Sequence, residues 1–218
     1  MSDNVRLPNS SQRIAIVGRT GSGKTVAGLW HLSKTNFDTH PWVIIDYKTD
    51  EHINAIERAE KIDLSSVPKR KGIYIVHPLP SQEEEVTEFL WKIWQQENTG
   101  IYVDEGYMLG KNKAFETCLV QGRSKHIPMI VLSQRPVWIS RFVFSESDFF
   151  QIFHLNDERD RKTVEAFIPV DMDDRLPDYY SRYYDVGRDS LVTFSPVPKP
   201  DATLEVINTR LESRKRTL

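Results

Sequence analysis

Residues Gly18-Arg19-Thr20-Gly21-Ser22-Gly23-Lys24-Thr25 match the phosphate-loop pattern G-x-x-x-x-G-K-[ST] at every position. The chemistry of such a run is specific. Its glycines let backbone N–H groups wrap a triphosphate, Lys24 is of a length to reach the β and γ phosphates, and the Thr25 hydroxyl suits Mg²⁺. ATP with Mg²⁺ is therefore the expected ligand. A second group, Ile101-Tyr102-Val103-Asp104-Glu105, ends an apolar run in two adjacent carboxylates. Alternation along a strand aims the two side chains differently, so Asp104 is expected to hold Mg²⁺ through its waters and Glu105 to polarise the attacking water. A third run, Met129-Ile130-Val131-Leu132-Ser133, leads into Gln134-Arg135-Pro136. Gln134 both donates and accepts hydrogen bonds, and is expected to sense the γ phosphate or position the water.

Such groups need a frame. Short β-rich runs over Arg13–Val17, Trp42–Asp46, Ile73–His77, Gly100–Asp104, Met129–Ser133 and Phe149–His154 alternate with stretches of helical period. The helices are expected over Lys24–Thr35, Asp50–Lys61, Gln82–Glu97, Lys113–Lys125 and Asp157–Phe167. In the third, Val86, Phe89, Leu90, Ile93 and Trp94 fall on one face, while Glu83, Glu84, Glu85 and Glu88 sit near the positive end of the helix dipole. This alternation predicts an α/β fold: a mostly parallel central sheet with helices on both faces, and with ligands bound at the carboxyl ends of the strands. Tyr179–Asp185 and Ser190–Ser195 flank Val186-Gly187-Arg188-Asp189 and predict a C-terminal β-hairpin on the sheet edge. A single domain over 1–195 is expected, followed at 196–218 by a Pro-rich stretch and a basic tail ending in Arg210, Arg214, Lys215 and Arg216, read as a solvated terminus.

Composition narrows the class. At 218 residues with 39% hydrophobic and 28% charged side chains, the chain can bury a full core, which excludes a disordered or collagen-like protein. Lys and Arg number 29 against 31 Asp and Glu, so any contact with nucleic acid must be local. One cysteine, Cys118, excludes an internal disulfide framework and suits a reducing compartment. No apolar run approaches the roughly 20 residues of a membrane-spanning helix, and Met1–Gln12 has no signal-peptide pattern.

Taken together the motifs resemble the FtsK-HerA superfamily: RecA-like P-loop ATPases with an additional strand and a catalytic glutamate. Ser133-Gln134-Arg135-Pro136 is similar to the Thr-Gln-Arg-Pro segment of FtsK-type translocases, and Gly122-Arg123-Ser124-Lys125-His126-Ile127 to the lead-in before it. Ile44-Ile45-Asp46-Tyr47-Lys48 resembles their Ile-Asp-Pro-Lys stretch, with Tyr47 in place of the proline. Asn156-Asp157-Glu158-Arg159-Asp160-Arg161 is more loosely similar to their Asp-Ser-Arg turn. The resemblance spans Arg13–Phe167. A bare motor of this length is similar to the genome-packaging ATPases of tailless, membrane-containing viruses such as the tectiviruses. That likeness implies a homo-oligomeric ring, usually a hexamer, with ATP between subunits and DNA in the pore. It also implies an arginine from the neighbouring subunit at the γ phosphate, for which Arg123 is the first candidate and Arg135 the second.

The function these readings lead to is an ATP-hydrolysing double-stranded DNA translocase that packages a viral genome into a preformed capsid. Its partners would be double-stranded DNA and capsid or vertex proteins, and its places the host cytoplasm and the packaging vertex of the virion. Lys111, Lys113 and Arg141 are candidates for phosphate contacts in the pore. The alternatives are a Zot-like phage morphogenesis ATPase on single-stranded DNA, and an ATP-switched assembly scaffold. Glu105 argues against the scaffold, because a pure switch needs no base beside the acid that holds the metal.

Overall fold

The computed structural model describes residues 5–213. Their frame is a nine-stranded sheet: β1 (Arg13–Val17), β2 (Pro41–Asp46), β3 (Glu60–Lys61), β4 (Gly72–Val76), β5 (Gly100–Asp104), β6 (Met129–Ser133), β7 (Phe149–Ile152), β8 (Ser181–Asp185) and β9 (Ser190–Phe194). The spatial order is β3-β4-β2-β5-β6-β1-β7-β8-β9. All pairings from β3 to β7 are parallel, and the predicted hairpin adds β8 and β9 antiparallel at the β7 edge.

The central strands are apolar at successive positions because both faces are covered. Ala15, Val17, Val43, Ile45, Val103 and Val131 face one core, and Ile14, Ile16, Ile44, Tyr102, Ile130 and Leu132 face the other. The first core is closed by α3 (Glu83–Gln96), α4 (Lys113–Gln121) and α5 (Arg141–Glu146). The second takes α1 (Lys24–Leu32), with Ala27, Leu29 and Leu32 buried. Burying each large side chain contributes about 1.5–3 kcal/mol, so this double-sided burial is what holds the strand ends in register. In α3 the buried residues are Val86, Phe89, Leu90 and Ile93, as the spacing predicts.

Three expectations need correction. The helix expected over Asp50–Lys61 is only α2 (Glu51–Asn54), begun by the Asp50 side chain accepting from the His52 and Ile53 amides. The chain then turns, and Glu60 and Lys61 pair in parallel with β4 as the edge strand. The helix expected to reach Lys125 stops at Gln121: Gly122 caps it, its amide closing the last turn on the Cys118 carbonyl at 2.9 Å and its own carbonyl accepting the Ile127 amide at 2.8 Å as the chain turns toward β6. The later helix, α6 (Glu158–Glu165), starts after Asp157, which caps it. The third correction concerns 196–218. Residues 200–213 form α7 (Pro200–Ser213), with Leu204, Ile207 and Leu211 buried in the same core as α1, so this stretch is integral to the domain. Proline is tolerated in the first turn of a helix, where its missing N–H has no partner to lose. Arg214, Lys215 and Arg216 lie outside the described residues.

Candidate active site

The carboxyl ends of β1, β2, β5 and β6 converge on one region. The loop after β1 is pinned on both sides: the Gly18 amide donates to the Ser133 carbonyl at 3.3 Å, and the Arg19 amide to the His154 carbonyl at 2.9 Å. Two glycines are required by geometry. A Cβ at Gly18 would lie 2.5 Å from the Phe153 Cβ, and Gly23 has φ +94°, where a side chain is strained. Gly23 gives way directly to α1, whose first residues are Lys24 and Thr25. Lys24 is buried, its Nζ donating to the Arg19 carbonyl at 3.0 Å, and burial pulls its pKa down, helped by the Lys48 charge. The charges of the Glu105 and Asp104 carboxylates oppose that shift without cancelling it.

Register places the acids. Asp46 ends β2 directly beside Asp104 at the end of β5. Asp46 is consumed structurally: it accepts the Lys48 amide at 3.1 Å and the Asp50 amide at 3.0 Å, and His77 Nδ1 lies 3.4 Å from it. That holds the 47–50 loop and presents Lys48, whose ammonium donates to Glu105. Burial depresses Lys48, but the bond to Glu105 and the charges of Glu105 and Asp104 outweigh it, leaving its pKa raised. Asp104 is 3% exposed, and burial, followed by the charges of Glu105 and Asp46, pushes its pKa up to about 7. Glu105 is 2% exposed and has φ +62°. A non-glycine residue in that region costs on the order of 1–3 kcal/mol, strain of the kind that collects at functional sites.

Gln134 bridges these parts. Its Oε1 accepts from Thr20 Oγ1 at 2.5 Å, its Nε2 donates to the Tyr107 hydroxyl at 3.4 Å, and its amide donates to Glu105 Oε2 at 3.4 Å. Thus Gly18–Thr25, Asp104, Glu105 and Gln134 come together. The two arginines do not join them as free groups. Arg135 is tied within the chain, 3.0 Å from Asp160 and 3.5 Å from Asp157, with its guanidinium over the Trp138 ring. Arg123 lies before β6, at the amino edge of the sheet, 65% exposed and 3.9 Å from Asp148. Lys111, Lys113 and Arg141 are exposed in the connections that follow β5 and β6.

A cavity of about 720 Å³ runs along the loop, lined by Thr20, Gly21, 23–26, Lys48, Asp104 and Glu105, and continues to Tyr179 and 196–200. Among the described residues no group of three His, Cys, Asp or Glu could hold a metal alone. The Thr25 hydroxyl and the Asp104 carboxylate nevertheless fit Mg²⁺, a hard cation that takes one or two protein oxygens with water and substrate phosphates. Sequence reasoning missed Lys48 as a site residue, and also Tyr107 and Tyr179. Lys48 could have been found from the Asp46-Tyr47-Lys48 run, because an acid at a strand end often fixes the loop that follows it.

Comparison with known proteins agrees with this geometry. No family model matches the chain. The DNA packaging ATPase P9 of Enterobacteria phage PRD1 is 48% identical over 98% of this chain and 99% of its own length. The genome packaging NTPase B204 of Sulfolobus turreted icosahedral virus 2, solved with AMPPCP, matches with a TM-score of 0.70 at 16% identity, covering 88% of this chain and all of B204. EssC (ATPases 2 and 3) of Geobacillus thermodenitrificans matches with a TM-score of 0.66 at 15% identity, over 95% of this chain and 44% of its own. The two structural likenesses establish the fold. No helix among the described residues is long and apolar enough to cross a membrane. With a phosphate loop, paired strand-end acids and a bridging glutamine on one sheet, and 48% identity to P9 over nearly its full length, the chain belongs to the viral DNA packaging ATPases.

Proposed function

We propose that the chain is the ATP-driven motor that moves double-stranded DNA into a preformed capsid, acting as a homo-oligomeric ring, by analogy a hexamer. It would work first in the host cytoplasm and then at the packaging vertex, held there by capsid or vertex proteins. The observation that carries this reading is the convergence of Lys24, Glu105 and Gln134 at one strand edge in a chain 48% identical to a phage DNA packaging ATPase.

Each residue then has a task. The loop amides of 18–25 and the Lys24 ammonium bind the β and γ phosphates and balance their charge. Thr25 and Asp104 would hold Mg²⁺, which neutralises charge on the phosphates when bound. Glu105 takes a proton from water while the water oxygen attacks the γ phosphorus and ADP leaves with the bonding electrons. Lys48 holds the same carboxylate, so it restrains the base until the site is filled. Gln134 touches both Thr20 in the loop and the Glu105 carboxylate, and so relates phosphate occupancy to the chain leading to Arg135 and Trp138. Arg135 braces its own subunit. Arg123, exposed and remote from its own loop, is the arginine offered to a neighbour's γ phosphate.

The test compares ATP turnover without DNA, with linear double-stranded DNA and with single-stranded DNA. Stimulation by the duplex is expected, and Gln134→Ala should reduce that stimulation more than it reduces ATP binding. Equal rates in all three conditions would overturn the translocase reading, and stimulation by single strands alone would favour the morphogenesis ATPase.

A further inference from the structure

The cavity is longer than a triphosphate chain needs, and its two ends differ. Strand order puts Asp104 and Glu105, at the end of β5, on one side of the β1 loop, and the β7-β8-β9 segments on the other. On that second side stand Phe153, Tyr179, Val197, Pro198 and Lys199. Tyr179 is 60% exposed, has φ +65°, and lies against Gly23, where a Cβ would be 3.3 Å from its ring. An exposed aromatic ring in a sparsely populated backbone conformation, set against the phosphate loop, presents a π face to whatever extends beyond the phosphates.

The opposing wall is stiff. Residues 195–199 have no regular structure, but Pro196, Pro198 and Pro200 fix their φ angles and carry no N–H, so the strap offers apolar surface. Both of its ends are anchored on α1. Before it, Phe194 stacks on Tyr183 with centroids 4.5 Å apart and meets Trp30 edge-on at 6.3 Å. After it, Arg210 of α7 donates to the carbonyls of Ser33 (2.7 Å) and Thr35 (2.9 Å) just beyond α1, and lies 2.7 Å from Asp38.

We propose that Tyr179 and the 196–200 strap form the nucleoside subsite, with the base held between the tyrosine ring and the proline wall, so that docking of α7 answers to the nucleoside and not to the phosphates. This rests on the reading of 18–25 as the ATP site. The phosphates fall to the loop, and the nucleoside is the part of the ligand that extends beyond it toward Tyr179 and the strap.

Hydrogen exchange on the full chain tests it with two probes in Mg²⁺: inorganic tripolyphosphate and a non-hydrolysable ATP analogue. Both are expected to protect amides of 18–25, and only the analogue those of Val197, Lys199 and 201–205. Tyr179→Ala should weaken analogue binding by about 5- to 100-fold, the range for loss of one base–aromatic stack, while tripolyphosphate binding stays within about twofold. Tyr179→Phe should restore the analogue. Identical protection by both probes, or an equal loss of both affinities in Tyr179→Ala, overturns the subsite. Failure of either probe to protect 18–25 would overturn the loop reading and the subsite with it, a result distinct from loss of strap protection alone.

Discussion

The two edges of the same parallel sheet handle charge in opposite ways. At the amino edge, acids and bases are matched: Asp148 accepts the Arg13 amide at 2.9 Å, lies 3.5 Å from the Arg13 guanidinium and 3.9 Å from Arg123, and Arg13 also donates to the Glu146 carbonyl. At the carboxyl edge, Asp46, Asp104 and Glu105 are crowded and buried, and burial moves Asp104 up and Lys24 down. Backbone type and strand length are shared, so the contrast comes from the side chains placed at each end. A matched edge is finished by folding. The mismatched one is left open for a ligand, and the proposed nucleotide with its cation has the charges that would complete it.

The most damaging change to this contrast is Lys24→Ala, which removes the buried ammonium and should take ATP binding and turnover to background. Pairing it with the other edge sharpens the comparison. If Arg123 acts on a neighbour, Arg123→Ala alone should lose on the order of 10³-fold in turnover yet bind ATP normally. Mixed rings of Arg123→Ala and Lys24→Ala should then recover activity at interfaces that pair an intact loop with an intact arginine. Full activity of Arg123→Ala, or no recovery in demonstrably mixed rings, would confine Arg123 to the matched edge.

Glu105→Gln keeps the shape of the side chain but not the base, and should lower turnover by about 10²- to 10⁴-fold with ATP binding retained. Turnover within a few-fold of the parent would move the base elsewhere.

A smaller effect should appear without any nucleotide. The folded pKa of Asp104, about 7, lies above the usual 3.8, so the folded state holds its proton longer than the unfolded chain does. Stability from this group therefore falls as pH rises from about 4 to about 7 and is level above that. In thermal denaturation without nucleotide, Asp104→Asn should melt higher than the parent at pH 8 and alongside it near pH 4. Identical pH profiles for the two proteins would show that burial of Asp104 carries no such penalty.

Most of the frame was legible in the sequence. Apolar runs of five or six residues, each ending in Gly18, Asp46, Asp104 or Gln134, announced strands whose carboxyl ends meet. The grasp of Lys48 on Glu105 was not legible, because it depends on Asp46 and Asp104 being register partners, and local pattern does not encode register. Nor was the approach of Arg123 to Asp148, which joins two loops that only the pairing of β1 with both β6 and β7 brings together. In α7, Leu204, Ile207 and Leu211 carried a helical spacing, but three nearby prolines read as a break. They are instead a connection, because Pro200 occupies the start of the helix.

The outermost strand on one side, β3, is two residues long, Glu60 and Lys61, both exposed and both charged. Such a stub is too short and too polar to template another chain's backbone, whereas β9 on the far side is five residues long. Polymer growth by sheet extension needs two open ends, and the sheet of the described residues offers one at most. Copies that paired β9 to β9 would close at two and leave a charged stub at either extremity, so the edge design would act as a chain terminator in concentrated protein.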